Sequence, residues 1–164
     1  MKKIILATVA TVIAVPAVAA PGDTATTNGV ASAEIVAPIS IVHDTDSSLD
    51  FGTMVTDTAG TVSVTAGGVA TATGPKLLVG STSSADSFTV SGDAGRTFDI
   101  VTGNGTVTSG TDTMSFTTSP SAATGTLNAT SGDANFTVGG VLTVAADQAA
   151  GSYTGSYTAT ATYN

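Results

Sequence analysis

Two stretches of this chain alternate between small or apolar and polar positions without a break. In residues 151–164, Tyr153, Gly155, Tyr157, Ala159, Ala161 and Tyr163 share one parity after Gly151. Thr154, Ser156, Thr158, Thr160 and Thr162 share the other. Side chains on a strand point to opposite faces in turn, so the pattern predicts one long half-buried strand. Upstream, Ala31, Ala33, Ile35, Ala37, Ile39 and Ile41 form an uninterrupted small or apolar row. The opposite parity is mixed: Val30, Ser32, Glu34, Val36, Pro38, Ser40, Val42. A second long strand is expected here. Pro38 cannot donate a ladder hydrogen bond, so it belongs at an edge, a bulge or a joint between two strand segments. Two readings follow. The row is an ordinary first strand, or the part before Pro38 leaves its own domain and pairs elsewhere. Residues 20–29, small and polar, read as flexible.

Between these stretches lie short strand-like runs at 61–65, 76–79, 87–90, 97–101, 113–117, 135–138 and 141–144. Gly, Asp, Asn and Ser separate them. Asn104-Gly105 and Gly139-Gly140 read as two-residue turns. Helix formers are scarce, Thr is abundant, and no long segment carries a helical stripe. Large apolar residues recur throughout, unlike in a disordered chain. The expectation is an all-β domain, a sandwich or barrel.

The first residues change the picture at one end. Lys2 and Lys3 precede an apolar run over residues 4–15, then Pro16 and Ala17-Val18-Ala19. That is the layout of a cleavable signal peptide, too short to span a membrane comfortably. The expected division is a signal peptide at 1–19, an N-terminal extension at 20–37 and one domain at 38–164. Export into an oxidising compartment would permit disulfides, yet the chain has no cysteine. Its stability must come from a core, from polymerisation, or from both.

Charge removes several partners. The chain carries 12 acidic and four basic residues, and cleavage would leave only Lys76 and Arg96 as cations. Such a chain cannot neutralise a phosphate backbone, so nucleic acid is excluded as a partner. Anionic lipid is disfavoured for the same reason, and no second apolar run is long enough for membrane insertion.

Candidate chemistry is sparse. His43, the single histidine, reads as a surface loop residue rather than a base or metal ligand. Asp44 and Asp46 read as solvated turn carboxylates, because no oxygen-rich loop completes a calcium site around them. Residues 92–95 are glycine-flanked but open no helix, so they lack a phosphate-binding context. No catalytic site, metal site or cofactor is expected, and an enzyme is the weakest reading.

What remains is pairing. Strand addition to a neighbour gives affinity through main-chain bonds and specificity through side-chain pockets. Around eight ladder bonds at roughly 1 kcal/mol and four apolar side chains at roughly 1 to 2 kcal/mol give on the order of 10 kcal/mol gross. Ordering the arm subtracts much of that. One head-to-tail contact repeated makes an open filament.

Several motifs carry a resemblance. Counting Asn164 as one, Gly151 is fourteenth from the end and Tyr163 is penultimate, on an alternating strand. This resembles the C-terminal signature of chaperone–usher-type pilin subunits. Leu49-x-Phe51-Gly52, Phe88-x-Val90-Ser91-Gly92, Val138-Gly139-Gly140-x-Leu142 and Gln148-x-x-Gly151-x-Tyr153-x-Gly155-x-Tyr157 are similar to a family of short secreted Gram-negative β proteins, near the spore-coat-U-type archaic pilins. The resemblance covers essentially the whole chain after the signal peptide.

It implies an incomplete immunoglobulin-like β-sandwich whose missing last strand is lent first by a periplasmic chaperone. At an outer-membrane usher, the arm of the next subunit then replaces it. The implied product is a homopolymeric pilus or fimbria at the cell surface, serving adhesion or biofilm formation. By position, Ala31, Ala33, Ile35 and Ala37 would be the donor residues. The acceptor groove would run between the first strand near Ile39 and Ile41 and the terminal strand from Gly151 through Tyr153, Gly155, Tyr157, Ala159 and Ala161 to Tyr163. The chain departs from such pilins in lacking a disulfide and in having donor residues that are mostly alanine. The alternative is a monomeric secreted module that binds carbohydrate or a surface.

Overall fold

Alternating segments become strands wherever a neighbouring edge can pair with them, and in this chain that condition builds an all-β sandwich. The computed structural model describes Gly22 and residues 24–164. The expected signal peptide lies outside the described residues. The chain separates at Glu34 and Ile35 into two units. In the first unit, residues 24–34 are exposed and carry no strand.

The second unit holds thirteen strands. They are β1 Ser40–His43, β2 Met54–Val55, β3 Gly60–Val64, β4 Ala70–Thr73, β5 Lys76–Leu77, β6 Asp86–Ser91 and β7 Thr97–Thr102. Then follow β8 Gly105–Ser109, β9 Asp112–Pro120, β10 Thr124–Thr126, β11 Asp133–Val144, β12 Thr154–Ser156 and β13 Ala159–Tyr163. Every pairing between them is antiparallel.

The larger sheet has the order β1-β6-β11-β9-β8-β12, with β3 also paired to β11 and β4 paired to β3. The smaller has the order β10-β7-β13, and β2 with β5 forms a short ribbon. Strand β11 is the spine. Its first half pairs with β6, from Asp133 opposite Ser91 to Val138 opposite Asp86. Its second half pairs with β3, from Gly140 opposite Val64 to Val144 opposite Gly60.

Inward parity collects two buried clusters. One holds Phe51, Val62, Val64, Met114, Phe116, Leu142 and Val144, inside the curl of β3, β11 and β9. The other holds Phe88, Val90, Phe98, Ile100, Leu127, Phe136 and Val138, between the two sheets. Tyr157 packs against both. Its ring meets Phe88 edge-on at 6.2 Å and Phe116 at 6.0 Å.

Three sequence expectations change. Residues 151–164 form not one strand but two in different sheets: β12 pairs with β8 and β13 with β7. The parity holds through the break, because the chain crosses between sheets at Tyr157 and Thr158 without turning its inward face. Gly139-Gly140 is not a turn, since β11 runs straight through it. These glycines allow close approach instead. A Cβ at Gly139 would lie 2.3 Å from the Val64 carbonyl oxygen, where β11 exchanges β6 for β3. Asn104-Gly105 leads from β7 to β8, which do not pair; the β8–β9 hairpin turns at Gly110, with φ of 60°.

Candidate strand-accepting groove

The expected upstream strand is much shorter than its pattern. Only Ser40–His43 is strand, antiparallel to β6 with Ile41 opposite Val90. Residues 24–38 are all exposed, and Val30 and Ile35 are 100% and 96% exposed. Ala31, Ala33, Ile35 and Ala37 therefore keep an alternating apolar row that joins no strand among the described residues. Pro38 stands at the joint, two residues before the ladder begins.

Two sheet edges, each without a further strand among the described residues, meet beyond that joint. Strand β1 ends the larger sheet and β13 ends the smaller one. Ile39 and Ile41 from one side, and Ala159, Ala161 and Tyr163 from the other, pack against the same buried cluster, and β1 touches β13, so this half of the interval is filled. Its outer end is tied. The Tyr163 hydroxyl donates to the Ala37 carbonyl at 3.0 Å and accepts from the Asp93 N–H at 2.6 Å. Gly92 makes room for it, because a Cβ there would lie 2.1 Å from the Tyr163 hydroxyl.

The other half is open. Where β12 leaves β13 to join β8, a cavity of about 560 Å³ appears between the 43–51 segment and residues 153–157. Leu49, Phe51, Phe88, Val107, Phe116 and Tyr153 line it among others. Gly155, in β12, lies so close to β8 that a Cβ would meet the Thr106 carbonyl oxygen at 2.1 Å. Tyr153 is held by its own segment: its hydroxyl donates to the Ala149 carbonyl at 2.8 Å and accepts from Gln148 Nε2 at 3.0 Å. Gly151 sits against Ser109 at the start of this wall.

At the floor of the cavity is a polar cluster that the sequence reading missed. Asp86 is 4% exposed and is the buried charged residue among those described. Oδ1 accepts from His43 Nε2 at 2.7 Å, Ser47 Oγ at 2.8 Å and the Ser87 N–H at 2.9 Å. Oδ2 accepts from the Tyr157 hydroxyl at 2.8 Å. Four donors satisfy a carboxylate that would be costly to bury alone. Burial, and then the hydrogen bond to Asp86, push the Tyr157 phenol well above its ordinary range. A signal was present: Asp86 shares the inward parity of Phe88 and Val90 on β6.

His43 is thus the last residue of β1, bonded to a buried carboxylate, not a loop residue. Asp44 does open a turn, its carbonyl accepting from the Ser47 N–H, but its half-exposed carboxylate is also hydrogen-bonded to the fold. It accepts from the Ser87 and Thr89 hydroxyls, and these bonds, Ser87 first, hold its pKa below the usual carboxylate range. Asp46 does occupy a turn, with φ of 64°. Ser47, His43 and Asp86 do not form a nucleophilic relay. Serine and carboxylate meet the same ring nitrogen, Nε2, at 3.4 Å and 2.7 Å, whereas a relay places them on opposite nitrogens. Among the described residues no group of three or more His, Cys, Asp or Glu could hold a metal ion.

Residues 39–163 match the model of a family described as Domain of unknown function (DUF4402). The chain belongs to that family. No curated protein and no solved structure matches it.

Proposed function

We propose that this DUF4402 domain is a structural subunit of a bacterial surface fibre, joined to its neighbours by strand donation. The observation that carries the reading is the pairing of two unpartnered parts. Residues 24–38 are exposed and carry no strand, and their second half, from Val30, keeps the alternating pattern. The outer edge of β13, beside β1, carries no strand among the described residues. The strand order supports the match. An immunoglobulin sandwich pairs its first strand with the second, the second with the fifth, and the third with the sixth. Here β1-β6-β11 and β7-β13 repeat those pairings, with β9 beside β11 as the fourth strand. The seventh strand would lie on the free edge of β13.

In this reading the arm of one subunit takes that position in the next. Ala31, Ala33, Ile35 and Ala37 point inward, against Ile39, Ile41, Ala159, Ala161 and the cavity beyond Tyr157. Before assembly a periplasmic chaperone covers the edge, and an outer-membrane usher is the site of exchange. The subunit is exported through the inner membrane and ends at the surface of a Gram-negative cell, where fibres serve adhesion or biofilm formation.

The test is a denaturing gel of fibres sheared from cells, unheated and heated side by side. A ladder that collapses to one band on heating is the expected result, since a cysteine-free polymer held this way is locked kinetically. A single monomer band in both lanes would favour a self-contained secreted binding module.

A further inference from the structure

We infer that Tyr157 and Asp86 form a strap across the strand-accepting groove, and that this strap sets how fast the groove takes up a strand. The inference deepens the strand-donation reading and rests on it.

The strap links parts of the fold that the backbone does not join. Asp86 opens β6, in the larger sheet. Tyr157 stands between β12 and β13, where the chain passes to the smaller sheet. Their hydrogen bond of 2.8 Å crosses the interval at the boundary between its filled half and its open half. His43 and Ser47 hold the carboxylate from the β1 side, so the acceptor is fixed before Tyr157 reaches it. At the far end Tyr163 makes the second tie, to Ala37. Between the two tyrosines the wall is only Ala159 and Ala161, both half-buried. A strand entering along β13 has to part β1 from β13, which touch here. While both tyrosines are tied, the terminal segment cannot move aside to let that happen.

The Tyr157 hydroxyl makes this bond while its ring packs in both buried clusters. Removing only the hydroxyl therefore loosens the strap and leaves the packing. Tyr153 is the natural control, because its hydroxyl bonds within its own segment and not across the groove.

The experiment uses the full chain and a fluorescent synthetic peptide of residues 28–38, with capture followed by anisotropy. Tyr157→Phe should capture the peptide at least about tenfold faster than the parent, as expected when a hydrogen bond to a carboxylate no longer opposes entry. Tyr153→Phe should match the parent. Asp86→Asn keeps the side-chain shape and weakens the acceptor, so it should fall on the fast side too. A second readout separates a strap from general support: Tyr157→Phe should change the rate of capture and leave the amount of peptide bound at saturation equal to the parent's. Capture by Tyr157→Phe at the parent's rate or slower overturns the strap, as does equal acceleration by Tyr153→Phe. No capture by any chain, the parent included, overturns the strand-donation reading and the strap with it.

Discussion

Residues 30–42 and residues 151–164 carry the same alternation and meet opposite fates. The terminal segment is paired along both of its strands, first with β8 and then with β7. The upstream segment pairs only from Ser40, and its residues 30–38 are exposed. Alternation specifies an inward face; it does not supply an edge to pair with. β7 and β8 offer edges to the terminal segment. The arm finds none among the described strands, and that gap is the reason to look for its partner in another molecule.

The comparison breaks most severely by deletion. Removing residues 20–37 should abolish polymers, while the thermal midpoint of the monomer stays within a few degrees of the parent. Ile35→Asp should do the same with one side chain, because Ile35 is 96% exposed in the chain itself. Polymers persisting in either variant on unheated gels would show that the arm is not the donor.

Equivalent glycine changes should separate the two segments by stability. Gly155→Ala forces a Cβ to within 2.1 Å of the Thr106 backbone, at a cost of roughly 1 to 3 kcal/mol in chemical denaturation. Gly29→Ala has nothing within 4 Å and should change stability by less than about 0.5 kcal/mol.

The hydroxyl ties come next. Tyr163→Phe leaves the Asp93 N–H and the Ala37 carbonyl without that partner, a loss of about 1 to 2 kcal/mol. Tyr157 adds a pH signature. Its folded pKa is raised, so its proton stays on in the folded state while the unfolded chain loses it. Stability should hold below about 10 and fall as pH rises further. Tyr157→Phe should flatten that alkaline decline.

The smallest effect is at acid pH. The Asp44 pKa is lowered by the Ser87 and Thr89 hydroxyls. Its contribution is present above the unfolded value of about 3.9 and is lost as pH falls through the folded one. At this partly exposed site the effect should stay under about 1 kcal/mol, and Asp44→Asn should remove it.

Much of this architecture was readable from parity. The runs around Val62, Phe88, Phe98, Phe116, Phe136 and Leu142 place inward residues correctly, because burial repeats with the strand period. Partners were not readable. The switch of β11 from β6 to β3 depends on Gly139 and Gly140, whose value is close backbone approach rather than turning. The crossing at Tyr157 leaves no mark in the alternation, since the inward face continues through it. The Asp86 cluster joins residues 43, 47, 86 and 157, and no local pattern relates positions so far apart. Only the inward parity of a charged residue hinted that it needed donors.

The central claim is that the arm of one copy lies along β13 of another. The chain has no cysteine, so introduced thiols report on that contact without background. One preparation would carry Ala161→Cys, on the half-buried wall of β13. Four others would carry a single cysteine in place of Ala31, Ala33, Ile35 or Ala37. Mixing each with the first under mild oxidation should give a disulfide-linked heterodimer for one or two adjacent inward positions. No cross-link from any arm position, or one that forms only when both cysteines are in the same chain, would contradict the account.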